Sequence, residues 1–111
     1  MAAIQHIGAH EITRLDSVRT LLVDNRHEIK FTPTEYRLLR LLLNEQPVVD
    51  QELASSIFNG RIEDDLWARE ALDRHIDNIR RKFRQHDLNL RILRIPGFGY
   101  MLVAPSVAKA S

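Results

Sequence analysis

Apolar residues recur at every second position in the short stretches Arg19–Val23 and Glu28–Phe31, and more loosely in Glu11–Leu15. Alternation of this kind puts one set of side chains on a single face of an extended segment, and so predicts strands. Asp16-Ser17 and Asp24-Asn25 separate the stretches. The second pair suits a tight turn, because both side chains tolerate a left-handed backbone. Together the stretches predict a small antiparallel meander.

The period then changes to that of helices. Thr32-Pro33-Thr34-Glu35 has the form of a capping box, in which the Thr32 hydroxyl accepts from the third-position N–H and Glu35 reaches back to the cap. Pro33 falls at the first helical position, where its missing N–H costs nothing. Phe31 and Tyr36 stand where a hydrophobic staple belongs. The helix carries Tyr36, Leu39 and Leu43 on one stripe, widened by Leu38 and Leu42, and stops before Pro47. Asp50 is expected to cap a short helix, Gln51–Phe58, ended by Asn59-Gly60. A third and longest helix runs from about Leu66 to Arg84 after the acidic loop Glu63-Asp64-Asp65. Two strands, Arg91–Ile95 and Tyr100–Val103, close the pattern. Pro96-Gly97-Phe98-Gly99 joins them, and Gly97 and Gly99 can both take the positive φ of a tight hairpin turn. Strands, three helices and a hairpin predict an α+β winged helix-turn-helix.

Composition narrows the class without naming a function. A chain of 111 residues, 44% apolar, is large enough for one domain with one core. The absence of cysteine excludes disulfides and thiolate zinc sites, and fits a cytoplasmic setting. The longest uninterrupted apolar run, Tyr100–Ala104, is five residues, so no membrane partner is expected. The formal net charge of +1 hides a split. Residues 1–68 carry 7 Lys/Arg against 11 Asp/Glu, whereas residues 69–94 carry 8 against 4. A cationic patch on an otherwise acidic domain points to a polyanion, most simply DNA.

The third helix concentrates that contrast. Leu72, Ile76, Ile79 and Phe83 lie within about sixty degrees of one another at 3.6 residues per turn, and form its core face. The opposite face shows Glu70, Arg74, Asp77, Asn78, Arg81 and Arg84, flanked by His75, Arg80 and Lys82. Arg and Asn for base edges, with basic flanks for phosphates, is what a helix in the major groove requires. The same face also permits a solvated ladder of Glu70–Arg74, Arg74–Asp77 and Asp77–Arg81 pairs. On the helix alone both readings stand.

Three blocks together resemble a known family, the OmpR/PhoB-type winged-helix DNA-binding domains of bacterial response regulators in two-component systems. They are Phe31-Thr32-Pro33-Thr34-Glu35-Tyr36-Arg37-Leu38-Leu39, Leu72-Asp73-Arg74-His75-Ile76-Asp77-Asn78-Ile79-Arg80-Arg81-Lys82-Phe83, and Pro96-Gly97-Phe98-Gly99-Tyr100. The resemblance implies a four-stranded N-terminal sheet, three helices and a C-terminal wing. It implies that the third helix enters the major groove and the wing approaches the adjacent minor groove. His75 and Arg80 match phosphate-contacting positions, Arg74 and Asn78 match base-reading positions, and Arg94 matches another DNA contact. Arg81 and Arg84 complete the expected DNA-binding set. The loop over about Asn59–Asp65, with Glu63, Asp64 and Asp65, matches the part that touches RNA polymerase in this family. A monomer or weak dimer that dimerises on DNA is the implied assembly.

The chain departs from the family's pattern at several positions. Glu70 stands where Arg is usual, Asp77 where a basic or polar group is usual, Asn78 where Arg is frequent, and Pro96 where the wing tip is often basic. Carboxylates near phosphates weaken non-specific attraction. They can also accept from cytosine N4, as Asn can pair with adenine. Two functional readings therefore stay open: sequence-specific DNA binding in transcription regulation, or a winged-helix protein-interaction module with reduced DNA binding.

Other features carry less. His6 and His10 are four apart, but no third ligand follows at a metal-binding spacing, so residues 1–10 are expected to form a loose N-terminal arm and no metal site. The domain is expected over residues 11–103, with a tail at 104–111. Trp67 is expected to pack in the core or against a neighbouring helix, and Glu63-Asp64-Asp65 to help cap the third helix. There is no phosphate-binding glycine loop ahead of a helix, no nucleophile elbow and no cysteine nucleophile, so neither an enzyme nor a cofactor is expected.

Overall fold

The structure is a computed structural model that describes residues 3–57 and 66–105. Strands β1 (Ala3–Ile7), β2 (His10–Leu15), β3 (Thr20–Val23) and β4 (His27–Lys30) form an antiparallel sheet in that order. Helix α1 (Pro33–Leu42) follows. The two-residue strand β5 (Val48–Val49) leads directly into helix α2 (Asp50–Ser55). Helix α3 (Leu66–Gln85) precedes the hairpin of β6 (Arg91–Ile95) and β7 (Gly99–Val103). β7 lies between β5 and β6, so the hairpin is rooted on the strand that opens α2.

The winged helix-turn-helix is the fold that the alternation and caps predict. Thr32 Oγ1 accepts from the Glu35 N–H at 3.2 Å, and Glu35 Oε1 accepts from the Thr32 N–H at 3.1 Å, which completes the capping box. Asp24 and Asn25 both take positive φ, 56° and 55°, in the turn between β3 and β4. Leu72, Ile76, Ile79 and Phe83 of α3 are buried with Leu38, Leu39 and Leu42 of α1 and with Ile12, Leu21 and Ile29 of the first sheet. Phe31 meets Phe83 edge to face, at a ring separation of 6.4 Å. The polar face of α3 is thereby turned outward.

Four local expectations need correction. Residues 3–7 are not a loose arm: they pair with β2 from Ala3 opposite Arg14 to Ile7 opposite His10, and Ile7 is buried. Gln5 Nε2 also donates to the Leu43 carbonyl at 2.7 Å. β1 buries one large apolar side chain, so it shows no alternation to read. At the other end, Asn89 Nδ2 donates to the Pro105 carbonyl at 2.6 Å, so the packed chain continues past Val103. Asp50 is no cap, since the cap of α2 is Val49 and no side chain bonds there. Trp67 is 59% exposed and not a core residue.

Gly97 has a φ of +74°, as the hairpin turn requires, but Gly99 does not share it. Gly99 is glycine for a different reason. A Cβ there would lie 1.8 Å from the Val48 carbonyl oxygen, so only a bare backbone lets β7 approach β5. None of the described helices is long and apolar enough to cross a membrane.

Candidate nucleic-acid interface

Helix α3 and the hairpin are held together by a polar network that begins at α2. Asp50 is 8% exposed. Its Oδ2 accepts from Arg69 Nη1 of α3 at 3.1 Å, and its Oδ1 accepts from Arg94 Nη1 of β6 at 3.3 Å. Its backbone N–H donates to the Phe98 carbonyl in the hairpin turn at 2.9 Å. Arg94 lies 5.0 Å above the Tyr100 ring, and the Tyr100 hydroxyl donates to Asp73 Oδ1 of α3 at 2.5 Å. Burial, reinforced by that bond to a carboxylate, pushes the Tyr100 hydroxyl up to about 12, so it stays a donor across physiological pH. Three elements thus converge on one carboxylate.

Arg80 makes the second tie. Its Nε and Nη2 both donate to the Ile92 carbonyl of β6, at 3.0 and 2.7 Å, and Nη1 pairs with Asp77 at 2.8 Å. Asp77 therefore answers Arg80, not Arg74 or Arg81 as its position between them suggests. Arg80 matches a phosphate-contacting position by resemblance, and in this structure its guanidinium is occupied as a strap between α3 and the hairpin. Lys82 is also occupied. Its Nζ donates to Glu35 Oε1 at 2.6 Å and to the Lys30 carbonyl at 3.0 Å, which anchors α3 to the start of α1.

The other expected contacts lie outward. Glu70, Arg74, Asp77, Arg81 and Arg84 are all exposed along one side of α3, with Asn78 half-buried beside them. Among the described residues, neither Arg74 nor Arg84 makes an ion pair, and Arg81 reaches only the Asn78 side-chain oxygen. Among the described residues none of the three pairs of the expected ladder forms, and Asp77 pairs with Arg80 instead. His75 is half-buried. Its Nδ1 is buried without a hydrogen-bond partner, and burial holds its pKa below the ordinary histidine range. A neutral ring with an unpaired buried Nδ1 is least costly as the tautomer whose proton sits on Nε2, which makes Nε2 a donor.

The face reads as cationic side chains on a helix, braced against a hairpin by Asp50, Asp73, Arg80 and Tyr100. Sequence reasoning missed Asp50, Arg69 and Asp73. Their pairings span 19 to 44 residues of sequence, and no local spacing reports such partners. The proposed polymerase-contact residues Glu63, Asp64 and Asp65 lie outside the described residues. So do Phe58, Asn59 and Gly60. Among the described residues no group of three or more His, Asp or Glu side chains is placed to hold a metal ion. His10 instead bonds Asp24 through Nδ1 at 2.7 Å and accepts from the Asn89 N–H at 3.2 Å.

None of the curated proteins compared with the chain matches it. Among solved structures, it is similar to the DNA-binding domain of the response regulator AdeR, whose crystal structure is in complex with an intercistronic region. The TM-score is 0.61 at 19% identity, over 85% of this chain and 95% of that one, a likeness of fold. A family model described as "Transcriptional regulatory protein, C terminal" matches residues 26–102, from the β3–β4 turn to the last strand of the wing. The chain belongs to that family of transcriptional regulatory C-terminal domains.

Proposed function

We propose that this domain binds double-stranded DNA sequence-specifically in the cytoplasm to regulate transcription, with α3 in the major groove and the β6–β7 wing at the adjacent minor groove. The observation that carries the reading is the outward face of α3. It presents Arg74, Arg81 and Arg84 to solvent without carboxylate partners among the described residues, beside a hairpin fixed to the same helix. On this reading Arg74 and Asn78 meet base edges, and Arg81 and Arg84 meet phosphates. His75 donates from Nε2 to a phosphate as a neutral group. Arg80 serves by positioning the wing. Arg94 holds the wing root and offers its exposed edge to the backbone. The likeness to a domain solved with an intercistronic region, and the family of transcriptional regulators, support the same reading. Contact with RNA polymerase through residues 59–65 belongs to it as a second partner, as does dimerisation on DNA.

Fluorescence anisotropy with a labelled random duplex, at stepped salt, tests the proposal. Affinity should fall linearly on a log–log scale, with a slope of about −0.9 per phosphate neutralised. Asp77→Asn should raise affinity for random duplex by removing a negative charge from the phosphate field. No binding at low salt, before or after that substitution, would overturn the proposal in favour of a protein-interaction module.

A further inference from the structure

Outside the α3 face, one cluster of side chains has a geometry that the fold does not require. His27 opens β4 and His86 follows the last residue of α3, 59 positions apart. Their Nδ1 atoms face each other at 3.4 Å, with the rings 5.5 Å apart and nearly perpendicular. That separation is long for a hydrogen bond involving nitrogen donors. It does match another geometry. Two zinc–nitrogen bonds of about 2.0–2.1 Å, opened to the tetrahedral angle, set their nitrogens about 3.3–3.4 Å apart.

We propose that His27 and His86 form a two-imidazole site for a divalent transition-metal ion of the zinc, nickel or copper class, with both Nδ1 atoms as ligands and water in the remaining positions. Imidazole nitrogen suits these ions, whereas magnesium and calcium prefer oxygen. Two further features favour a cation here. His86 caps the C-terminal end of a twenty-residue helix, and its N–H reaches the Lys82 and Phe83 carbonyls, so the ion would sit at the negative end of the helix dipole. Asp24, three residues before His27 and bonded to His10, adds a carboxylate in the turn that leads into β4. Both rings are half-buried, which leaves the pair open to an incoming ion. A bound ion would join β4 to the end of α3 and stabilise the folded chain by mass action.

The test uses the whole chain with Zn²⁺, and with Co²⁺ as a spectroscopic probe. Isothermal titration should show saturable uptake of one Zn²⁺ per chain, and Tm should rise with Zn²⁺ concentration. Co²⁺ should give the intense visible d–d bands of a tetrahedral site. His27→Gln and His86→Gln should each weaken uptake at least about tenfold, on the scale seen when a site loses even a supporting group. His6→Gln, on an exposed residue of β1, should leave it unchanged. Circular dichroism without metal confirms that each variant is folded. Absence of saturable uptake overturns the proposal, as does uptake that survives both His27→Gln and His86→Gln.

Discussion

Replacing Arg80 and Arg81 separately should split two roles that adjacent arginines on one helix would otherwise share. In Arg80→Ala, the Ile92 carbonyl loses two charged donors, and hydrogen bonds to charged groups contribute about 1.5–3 kcal/mol. The pair with Asp77 adds little, because Asp77 is 65% exposed on its side chain and exposed ion pairs contribute about 0–1 kcal/mol. The guanidinium also lies 5.5 Å from the Tyr100 ring, a contribution of about 0.5–1 kcal/mol. Water restores part of this at a half-buried site, which leaves a net loss of about 2–3 kcal/mol. A domain of this size loses about 4–8 °C of Tm per kcal/mol, so Tm should fall by about 10–20 °C. Arg80→Lys should recover only part, since a lysine cannot reproduce the planar fork. Arg81→Ala should change stability by less than about 0.5 kcal/mol, yet reduce the salt slope of DNA binding by about one. Thermal melts and anisotropy titrations on the same preparations measure both. An Arg80→Ala protein with unchanged Tm and a shallower salt slope would refute the strap and return Arg80 to the phosphates.

Further outcomes follow from burial, backbone contact and protonation. Ile76 is fully buried on α3, so Ile76→Ala should cost about 2–5 kcal/mol in urea unfolding, and a loss below about 0.5 kcal/mol would mean that the helix faces are reversed. Gly99→Ala puts a Cβ against the Val48 carbonyl, and should abolish the amide protection of the β5–β7 pairing while the first sheet keeps its own. Burial lowers the pKa of His75, so the unfolded chain takes up a proton there that the folded chain resists as pH falls below about 6.5. Stability should therefore decline from pH 7 toward 5, and His75→Gln should flatten that decline. An unchanged slope in the variant would assign it to other groups.

How much of this was legible depends on the distance over which each signal acts. The capping box, the staple and the four-position spacing of the α3 core face are local, and the folded chain has them where the sequence places them. β1 was not legible, because its partner strand and not its own pattern makes it a strand. Gly99 has the sequence setting of a turn glycine, but the approach of β5 dictates it. Arg80 and Lys82 looked like phosphate ligands because a sequence shows charge without showing what already answers it. The Ile92 carbonyl and the Glu35 carboxylate answer them, from 12 and 47 residues away. Asp50 looked like a cap because carboxylates commonly precede helices, and its two arginine partners become visible only when α3 and β6 are brought to it.

That convergence on Asp50 has a mechanical consequence. The wing is tied to α3, since one carboxylate holds Arg69 and Arg94 and the backbone amide beside it holds the hairpin turn. On the proposed reading the helix and wing act as the fixed jaws of a caliper, and the duplex must supply the compliance. Groove width and bendability then enter recognition as an elastic cost, paid differently by stiff adenine tracts and by flexible pyrimidine–purine steps. Base pairs that no side chain touches would still be discriminated, through how readily they let the duplex conform to a spacing set inside the protein.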